Sequence, residues 1–317
     1  MAASPGSPPS GCLDSLPHMR YNEGEAVRDP FSGEAASMER IGLLHHPKLP
    51  ATQPLAETMA RECQEHGVDA WTGSTWDEES VSKEIAGLDL VVTLGGDGSI
   101  LRAARMASRH GVPVLGVNMG RLGFLAELEP NQWTSALARI LDGEYWLEQR
   151  MMLYAEYHRQ EESRGYEALN DVVISRGSLA RIVRLETHID GSYLTTYAAD
   201  GLIVATATGS TAYSFAAGGP VLPPQLKNIL LLPIAPHLSM DRAIVLSQGA
   251  VVKILVHTDH QAILTVDGQF EYELHDGDLV TVQASRNSGL FVRLQDQQYF
   301  YRTLMERLRW PLPSQSG

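Results

Sequence analysis

Cysteine and basic residues are both scarce in this sequence of 317 residues, and each shortage excludes a class of protein. With only two cysteines, Cys12 and Cys63, neither a disulfide framework nor a Cys-based zinc site is expected. Lys and Arg number 25 against 38 Asp and Glu, which gives a formal net charge of −13. Binders of nucleic acid or of anionic membranes need a basic face, so we expect neither.

Long apolar runs are missing as well. No stretch reaches the roughly 18 to 20 apolar residues of a membrane helix, and the N-terminus lacks a basic segment followed by an apolar one. We therefore predict a soluble, cytoplasmic protein whose partners are small molecules rather than nucleic acid or a membrane.

Apolar residues make up 44% of the chain, which is enough for more than one core. Residues 1–38 are rich in Pro, Ser, Gly and Glu without periodicity, and we predict a disordered, dispensable tail. We predict an α/β domain at 39–146, a β-rich domain at 147–282, and a segment at 283–317 that returns to the α/β domain.

The stretch DLVVTLGGDGSILRAAR at residues 89–105 organises the first domain. An apolar run at 90–94 predicts a buried parallel strand, and the spacing of the apolar residues after the glycines predicts a helix. The glycines of this turn, Gly95, Gly96 and Gly98, allow close approach of a ligand to the backbone. Backbone N–H groups and a helix N-terminus at such a turn suit phosphate.

Asp97 is the unexpected residue in this turn. A carboxylate beside phosphate is repulsive unless a metal or an exchangeable proton accounts for it, so Asp97 suggests phosphoryl-transfer chemistry. The alternative is a tight turn in which Asp97 only caps the helix.

Apolar strands near 40–44, 90–94 and 112–117 with helices between them predict a parallel sheet. Ligands bind at the carboxyl ends of the strands of such sheets, so the Gly-rich loops 95–99 and 120–123 should line one crevice. A further helix is predicted from Trp133 to Ile140.

From about residue 147 the pattern favours strands separated by turns. We predict strands at 150–158, 168–175, 181–189, 192–198, 201–206, 243–247, 250–257, 261–266, 270–274 and 278–284. An amphipathic helix at 299–310 should pack on the first domain.

Two polar clusters lie within the β-rich region. The stretch DGLIVATATGSTAYS at 200–214 offers many hydroxyl and backbone donors with little bulk, which suits a nucleoside, although a Thr-rich turn before a short helix would look the same. Asn170 and Asp171 suit an adenine edge and ribose hydroxyls, or form only a turn before a strand.

Five motifs in order resemble those of the bacterial NAD kinases: GGDGS at 95–99, NxGxLGF at 118–124, LND at 169–171, DGLIVATATGSTAYS with AGGP at 200–220, and VDG at 266–268. The match runs from about residue 40 to 310. GGDG alone also occurs in 6-phosphofructokinases and in diacylglycerol and sphingosine kinases, so the later motifs single out the family.

The resemblance implies that the α/β domain at 39–146 binds nucleotide and that the β-rich domain at 147–282 binds NAD, with the active site between them, in a homotetramer or homodimer. It implies transfer of the terminal phosphoryl group of ATP (or polyphosphate), with Mg²⁺, to the 2′-hydroxyl of the adenosine ribose of NAD. The resemblance also implies roles for single residues. Asp97 is the catalytic acid at the reacting hydroxyl, and the residues of the first loop that hold phosphate are Gly95, Gly96, Gly98 and Ser99.

The remaining roles that the resemblance implies concern the nucleosides. Phe124 contributes to the adenine pocket, and Asn170 and Asp171 bind the nucleoside of NAD. The residues that surround the adenylate are Thr208, Thr211, Ala212 and Tyr213, with Asp200 and Asp267 close by.

The sequence departs from the family's pattern at Ser99 (usually Thr), Ala207 (commonly Pro) and Ala216 (often Ser). The last change removes one possible hydrogen bond to NAD. Two other functions stay open at this point: a GGDG-type kinase acting on a sugar phosphate or lipid, and a non-catalytic NAD(P)-binding sensor.

Overall fold

The computed structural model describes residues 38–120, 123–159, 162–177, 181–237 and 240–307, without the side chains of residues 305 and 306. The described strands are β1 (Arg40–His45), β2 (Asp69–Ser74), β3 (Leu90–Gly95), β4 (Val114–Asn118), β5 (Trp146–Arg159), β6 (Glu162–Ala168), β7 (Asp171–Arg176), β8 (Val183–Ile189), β9 (Ser192–Ala199), β10 (Gly201–Ala205), β11 (Ile229–Ile234), β12 (Ile244–Leu246), β13 (Val252–His257), β14 (Ala262–Val266), β15 (Phe270–Leu274) and β16 (Leu279–Arg293). The described α-helices are α1 (Thr52–Glu65), α2 (Glu78–Glu84), α3 (Asp97–Ser108), α4 (Trp133–Leu141), α5 (Tyr213–Ala216) and α6 (Tyr299–Arg307). Residues 1–37 of the predicted tail, residues 121–122 of the second Gly-rich loop and residues 308–310 of the predicted last helix lie outside the described part.

The first part of the chain forms a parallel sheet in the order β2-β1-β3-β4. Apolar side chains of α1 and α4 cover one face of this sheet, and those of α2 and α3 cover the other. The predicted α/β domain is thus confirmed. Because the strand order reverses between β1 and β3, the carboxyl ends of these two strands border the crevice in which such sheets bind ligands.

The second part of the chain is mainly β, as predicted. It contributes β16, β13, β8 and β9 to the larger sheet, in that order, with β5 and β6 paired beside β16. A second, antiparallel sheet has the order β12-β11-β10-β7-β14-β15. Side chains of both sheets share one core, among them Leu185, Val204 and Ile254.

The two parts of the chain share the larger sheet, because β16 reaches β4. Phe291 in β16 pairs with Val114 in β4, and the same strand pairs with β5 along most of its length. The strand predicted at 278–284 is therefore longer than expected and crosses position 283. The predicted boundaries near residues 146 and 283 stay predictions.

Strands β2, β6 and β11 were not predicted, for different reasons. The sequence of β6, ESRGYEA, pairs only with β5 among the described strands and is exposed over its first four residues, so it lacks an apolar pattern. The sequence of β2, DAWTGS, lies at the edge of the sheet and is only partly buried, so it lacks an apolar pattern. Strand β11 contains Pro233, a residue that argues against a central strand. Pro233 is accommodated because β12 pairs with β11 only from Ile229 to Leu231, so the proline lies beyond the end of that neighbour.

Helix α6 returns to the first part of the chain, as predicted, and a buried charge cluster fastens it there. Glu148 accepts hydrogen bonds from Tyr299 at 3.0 Å, from Arg150 at 2.9 Å and from Arg293 at 2.9 Å. Arg293 also pairs with Glu127 at 3.0 Å. None of the helices in the described residues is long and apolar enough to cross a membrane.

Candidate active site

The first Gly-rich loop joins β3 to α3 at the crevice edge of the parallel sheet. A Cβ at Gly95 would collide with the side chain of Ser99, whereas Gly96 and Gly98 have open space where a side chain would be. The backbone at these two glycines is therefore open to a ligand. Ser99 is 4% exposed, and its Oγ has no hydrogen-bond partner among the described residues.

Asp97 is the first residue of α3, and the second Gly-rich loop holds its carboxylate. Oδ2 accepts a hydrogen bond from Phe124 N at 2.8 Å, and Oδ1 accepts one from Leu125 N at 3.2 Å. A Cβ at Gly123 would collide with this carboxylate, so only glycine fits at that position. The two loops thus lie side by side, as expected for loops that follow neighbouring strands of a parallel sheet.

Phe124 also contacts the C-terminal helix. Its carbonyl oxygen accepts a hydrogen bond from Arg307 Nη1 at 2.9 Å, and the guanidinium lies 5.8 Å from the Phe124 ring centroid. Arg307 Nη2 is 3.4 Å from the carbonyl oxygen of Ala126. One guanidinium therefore fixes the backbone that holds Asp97.

Asp267 organises a second group of predicted residues on the β-rich side. Its carboxylate accepts hydrogen bonds from the backbone N–H groups of Leu169 at 2.9 Å, Asn170 at 2.8 Å and Asp171 at 3.1 Å. These bonds explain why the strand predicted at 168–175 is interrupted at Asn170, which lies between β6 and β7. The Asn170 side chain is consequently presented from a bend rather than from a strand.

Two buried carboxyl groups lie next to each other here. Burial, and then the negative charge of Asp267, raises the pKa of Asp171 to about 7. Burial also raises the pKa of Asp267, although its three N–H donors and the charge of Arg105 act in the opposite direction. Among the described residues, Asp267 has hydrogen-bond donors that stabilise its anion and Asp171 has none, so Asp171 is the group that takes a proton near neutral pH.

The third group follows β10. Gly209 packs so closely on the backbone of Asn170 that a Cβ would collide with its carbonyl oxygen, and the Thr206 hydroxyl donates to the Leu169 carbonyl at 2.6 Å. Thr208 and Thr211 lie in the 3-10 turn Thr208–Thr211. Thr208 Oγ1 is buried without a partner among the described residues, while Thr211 Oγ1 donates to the Thr208 carbonyl at 3.2 Å.

A cavity of about 360 Å³ opens beside these residues. Five of the predicted site residues line it, together with neighbours on β7, on β14 and in the turn after β14: Asn170, Asp171, Ala212, Tyr213 and Asp267, with Val173, Ser175, Thr265 and Gly268. A larger cavity of about 460 Å³ lies beside α4 and α6, and none of the predicted site residues lines it.

Gln269, which is not among the predicted site residues, connects the two loop systems. Its Nε2 donates to the carbonyl oxygen of Gly98 at 2.9 Å, and its Oε1 accepts from Arg105 Nη1 at 2.7 Å. Arg105 in turn bonds to Glu78 at 2.8 Å and lies over the Phe270 ring at 4.4 Å. The turn that carries Asp267 therefore contacts the loop that carries Asp97. The position of Gln269, two residues after Asp267, was the only feature of the sequence that could have indicated this contact.

The structure does not bring Asp200 together with the other predicted site residues within the chain. Asp200 precedes β10 and pairs with Arg176 at 2.9 Å, whereas Asp171 lies opposite Ala205 at the other end of β10. Five residues of strand separate the two ends, which corresponds to roughly 17 Å.

Magnesium would be held in this site mainly through a nucleotide. The described residues contain no group of three or more His, Cys, Asp or Glu side chains arranged to bind a metal. Mg²⁺ commonly keeps several waters and binds through one or two carboxylates together with substrate phosphates. Asp97 beside an open glycine backbone fits that arrangement.

Comparison with known proteins identifies the family. The model of the ATP-NAD kinase N-terminal domain matches residues 44–145, and that of the ATP-NAD kinase C-terminal domain matches residues 169–294. The chain belongs to the ATP-NAD kinase family. The matched ranges include Asp97, Asp171 and Asp267, whereas Arg307 lies beyond the end of the second range.

Curated relatives agree with this assignment. The chain is 39% identical over 273 residues to an NAD kinase of Dehalococcoides mccartyi, covering 86% of this chain and 96% of that protein. It is 42% identical over 273 residues to an NAD kinase of Chloroflexus aurantiacus, covering 86% of this chain and 99% of that protein.

Solved structures share the fold. The crystal structure of yeast NADH kinase complexed with NADH has a TM-score of 0.76 at 24% identity, covering 86% of this chain and 87% of that one. An NAD kinase from Archaeoglobus fulgidus in complex with ATP has a TM-score of 0.69 at 26% identity, covering 84% and 98%. The predicted fold class is therefore confirmed, and the protein is a kinase of this family.

Proposed function

We propose that this kinase transfers the terminal phosphoryl group of ATP to the 2′-hydroxyl of the adenosine ribose of NAD, producing NADP. The observation that carries the proposal is the contact between the two loop systems: Gly98 of the Asp97 loop accepts a hydrogen bond from Gln269, in the turn whose Asp267 and Gly268 line the cavity. A phosphate loop and a nucleoside cavity in contact are what a transfer between two nucleotides requires.

The acceptor nucleoside is assigned to the cavity. Asn170 offers an amide to an adenine edge, and Asp171 offers a carboxyl group to ribose hydroxyls. Ala212 and Tyr213 also line this cavity, and Thr208, in the turn before them, has a buried hydroxyl group without a partner among the described residues. Thr211, which leads into Ala212, completes the turn around the adenylate.

The phosphates are assigned to the Gly-rich loop. Gly96 and Gly98 expose their backbone, Gly95 ends the strand, and the Ser99 hydroxyl lacks a partner among the described residues. Mg²⁺ bound to the triphosphate would neutralise charge as the phosphoryl group is transferred. Asp97 and the phosphates would hold this ion.

Asp97 is the residue that we assign to proton transfer. The 2′-hydroxyl attacks the terminal phosphorus, the bond to the bridging oxygen breaks, and the proton of the hydroxyl passes to a carboxylate oxygen of Asp97. The N–H groups of Phe124 and Leu125 fix the orientation of that carboxylate. Since phosphoryl transfer has a loose transition state, orientation contributes more than deprotonation.

Asp200 stays a proposed binding residue whose contribution depends on assembly. It lies far from Asp171 in its own chain, so a role at the nucleotide would need a second copy of the chain. A homotetramer or homodimer in the cytoplasm is consistent with the family and is part of the proposal.

The test is incubation of the purified protein with ATP, Mg²⁺ and NAD, with detection of NADP by an NADP-specific dehydrogenase. Parallel reactions replace NAD with NADH, with a sugar phosphate or with diacylglycerol, and replace ATP with polyphosphate. We expect NADP from ATP and NAD. Phosphorylation of a sugar or lipid instead, or tight NAD binding without turnover, would contradict the proposal.

A further inference from the structure

Trp76 is a large aromatic side chain that lies 46% exposed beside the Gly-rich loop. Three side chains surround its ring: His46 at 5.6 Å between ring centroids in an edge arrangement, Lys48 Nζ at 4.3 Å from the centroid, and the Arg102 guanidinium at 5.7 Å. We call these four residues the Trp76 patch.

The patch lies at the crevice of the parallel sheet. His46 and Lys48 follow β1, Trp76 follows β2, and Arg102 is in α3, five residues after Asp97. The Cβ of His46 is 3.8 Å from the position of a Cβ built on Gly95, so the patch adjoins the Gly-rich loop directly. None of its members lines the Asp171 cavity.

The charges of the patch favour an anion. Arg102 is paired with Glu78 at 2.8 Å. Lys48, by contrast, forms no ion pair with a carboxylate in the part of the chain that the structure describes, and its ammonium rests on the indole. An unneutralised cation next to an open glycine backbone, in a chain with a formal charge of −13, concentrates positive potential at one point.

The exposed indole offers a flat apolar surface of the size of a nucleic base. Bases stack on aromatic side chains whatever their identity, because every base has a π-face. The Lys48 stem is flexible and exposed, so its ammonium can leave the ring for a phosphate and free the ring face for a base. Base stacking and phosphate binding would then use the two neighbouring parts of one patch.

We propose that the Trp76 patch binds the donor nucleoside triphosphate, with the base stacked on Trp76 and Lys48 on the phosphates. The acceptor would occupy the Asp171 cavity on the other side of the Gly-rich loop, so that the two nucleotides approach Asp97 from opposite sides. The proposal rests on the proposed function only in naming ATP as the donor.

The test compares Trp76→Ala, Trp76→Phe and Lys48→Gln, with Tyr193→Ala as a matched control. Tyr193 is also an exposed aromatic residue, but it lies in β9 at the far edge of the larger sheet. KM for ATP and for NAD is measured for each variant, together with inhibition by inorganic tripolyphosphate, which carries the phosphates without a base. ATP quenching of tryptophan fluorescence, compared between the wild type and Trp76→Phe, reports the stacking directly.

We expect Trp76→Ala to raise KM for ATP about tenfold, with KM for NAD and tripolyphosphate inhibition unchanged, since only base stacking is lost. Trp76→Phe should retain most of the affinity but lose the ATP quenching, and Lys48→Gln should weaken ATP and tripolyphosphate alike. The proposal is overturned if Trp76→Ala leaves ATP affinity within twofold of the wild type, or weakens tripolyphosphate equally.

The two proposals fail separately. If the wild type forms no NADP but ATP still quenches Trp76, the proposed reaction is wrong and the donor subsite stands. If NADP forms and the Trp76 variants behave as Tyr193→Ala does, the reaction stands and the subsite is wrong. Should Trp76→Ala unfold, Trp76→Phe quenching and Lys48→Gln kinetics decide the question.

Discussion

The backbone of Phe124 links Asp97 to the C-terminal helix. The N–H group of Phe124 donates to the Asp97 carboxylate at 2.8 Å, and its carbonyl oxygen accepts from Arg307 at 2.9 Å. A residue about 210 positions away in the chain therefore acts on the orientation of the proposed catalytic acid through one peptide group. This relationship leads to the first two predictions.

Asp97→Asn should lower turnover by about 10²- to 10⁴-fold, because the amide cannot accept the proton of the 2′-hydroxyl. The side-chain oxygen of asparagine can still accept a hydrogen bond from Phe124 N, so the fold and nucleotide binding should survive. NADP formation and ATP and NAD affinity are measured on the same folded variant. Near-normal turnover would show that Asp97 only caps α3.

Arg307→Gln should lower kcat about tenfold with a smaller effect on KM, because the loop that orients Asp97 loses its anchor. Arg307→Lys should restore only part of the rate, since an ammonium cannot reach both carbonyl oxygens as the guanidinium does. Arg302→Gln is the control: Arg302 is in the same helix but pairs with Asp296 at the surface. If Arg307→Gln lowered the melting temperature without changing kcat, Arg307 would be structural only.

Asp171→Asn should flatten the dependence of stability on pH. The folded-state pKa of about 7 lies above the unfolded value of about 3.9, so the favourable contribution of the protonated group is complete below about pH 4 and is lost as pH rises through 7. The variant should therefore be more stable than the wild type at pH 8, by about 2 to 4 kcal/mol, and little changed at pH 4.

Urea unfolding of the wild type and of Asp171→Asn between pH 4 and 8 measures the difference in their free energies of unfolding. Asp241→Asn serves as the control because Asp241 is exposed at the surface. Parallel pH profiles for the wild type and Asp171→Asn would mean that Asp171 is not protonated in the folded state.

The same variant should raise KM for NAD, since the carboxyl group that we assign to the ribose is lost.

Glu148→Gln should destabilise the protein by about 3 to 5 kcal/mol, because Arg150 and Arg293 would remain buried without their shared carboxylate. Burial alone would raise the pKa of Glu148, but Arg150 and Arg293 outweigh it and lower the pKa to about 2. The stability from this group is thus present above about pH 4.5 and is lost as pH falls toward 2.

The control is Glu79→Gln, at a surface pair with Lys83, which should change the unfolding free energy by less than about 1 kcal/mol. Equal effects of the two substitutions would contradict the prediction.

Local patterns in the sequence were sufficient for the elements that build the site. The run at 90–94, the glycines after it and the helical spacing beyond them correctly placed β3, the turn and α3, since period and turn chemistry are properties of neighbouring residues. The same holds for most strands of the β-rich part. The motif order also predicted the family, because each motif carries residues that a nucleotide site needs at short spacing.

Contacts between distant parts of the chain could not be read in this way. Asp267 interrupts the strand at Asn170 from 97 positions away, and Gln269 reaches Gly98 across 171 positions. Likewise, only the strand order reveals that His46, Trp76 and Arg102 adjoin the Gly-rich loop.

The sequence by itself determined the chemistry available at the site: an acid among glycines, an Asn-Asp pair and a hydroxyl-rich turn. Which of these groups meet was decided by the tertiary structure. Asp97 and the Asp171 cavity come together because the loops that follow β3 and β14 contact each other. Asp200 lies away from them because β10 runs antiparallel to β7: the last residue of β10 lies opposite Asp171, and Asp200 precedes the first. Register and strand order result from packing over the whole chain, and a local pattern contains no information about them.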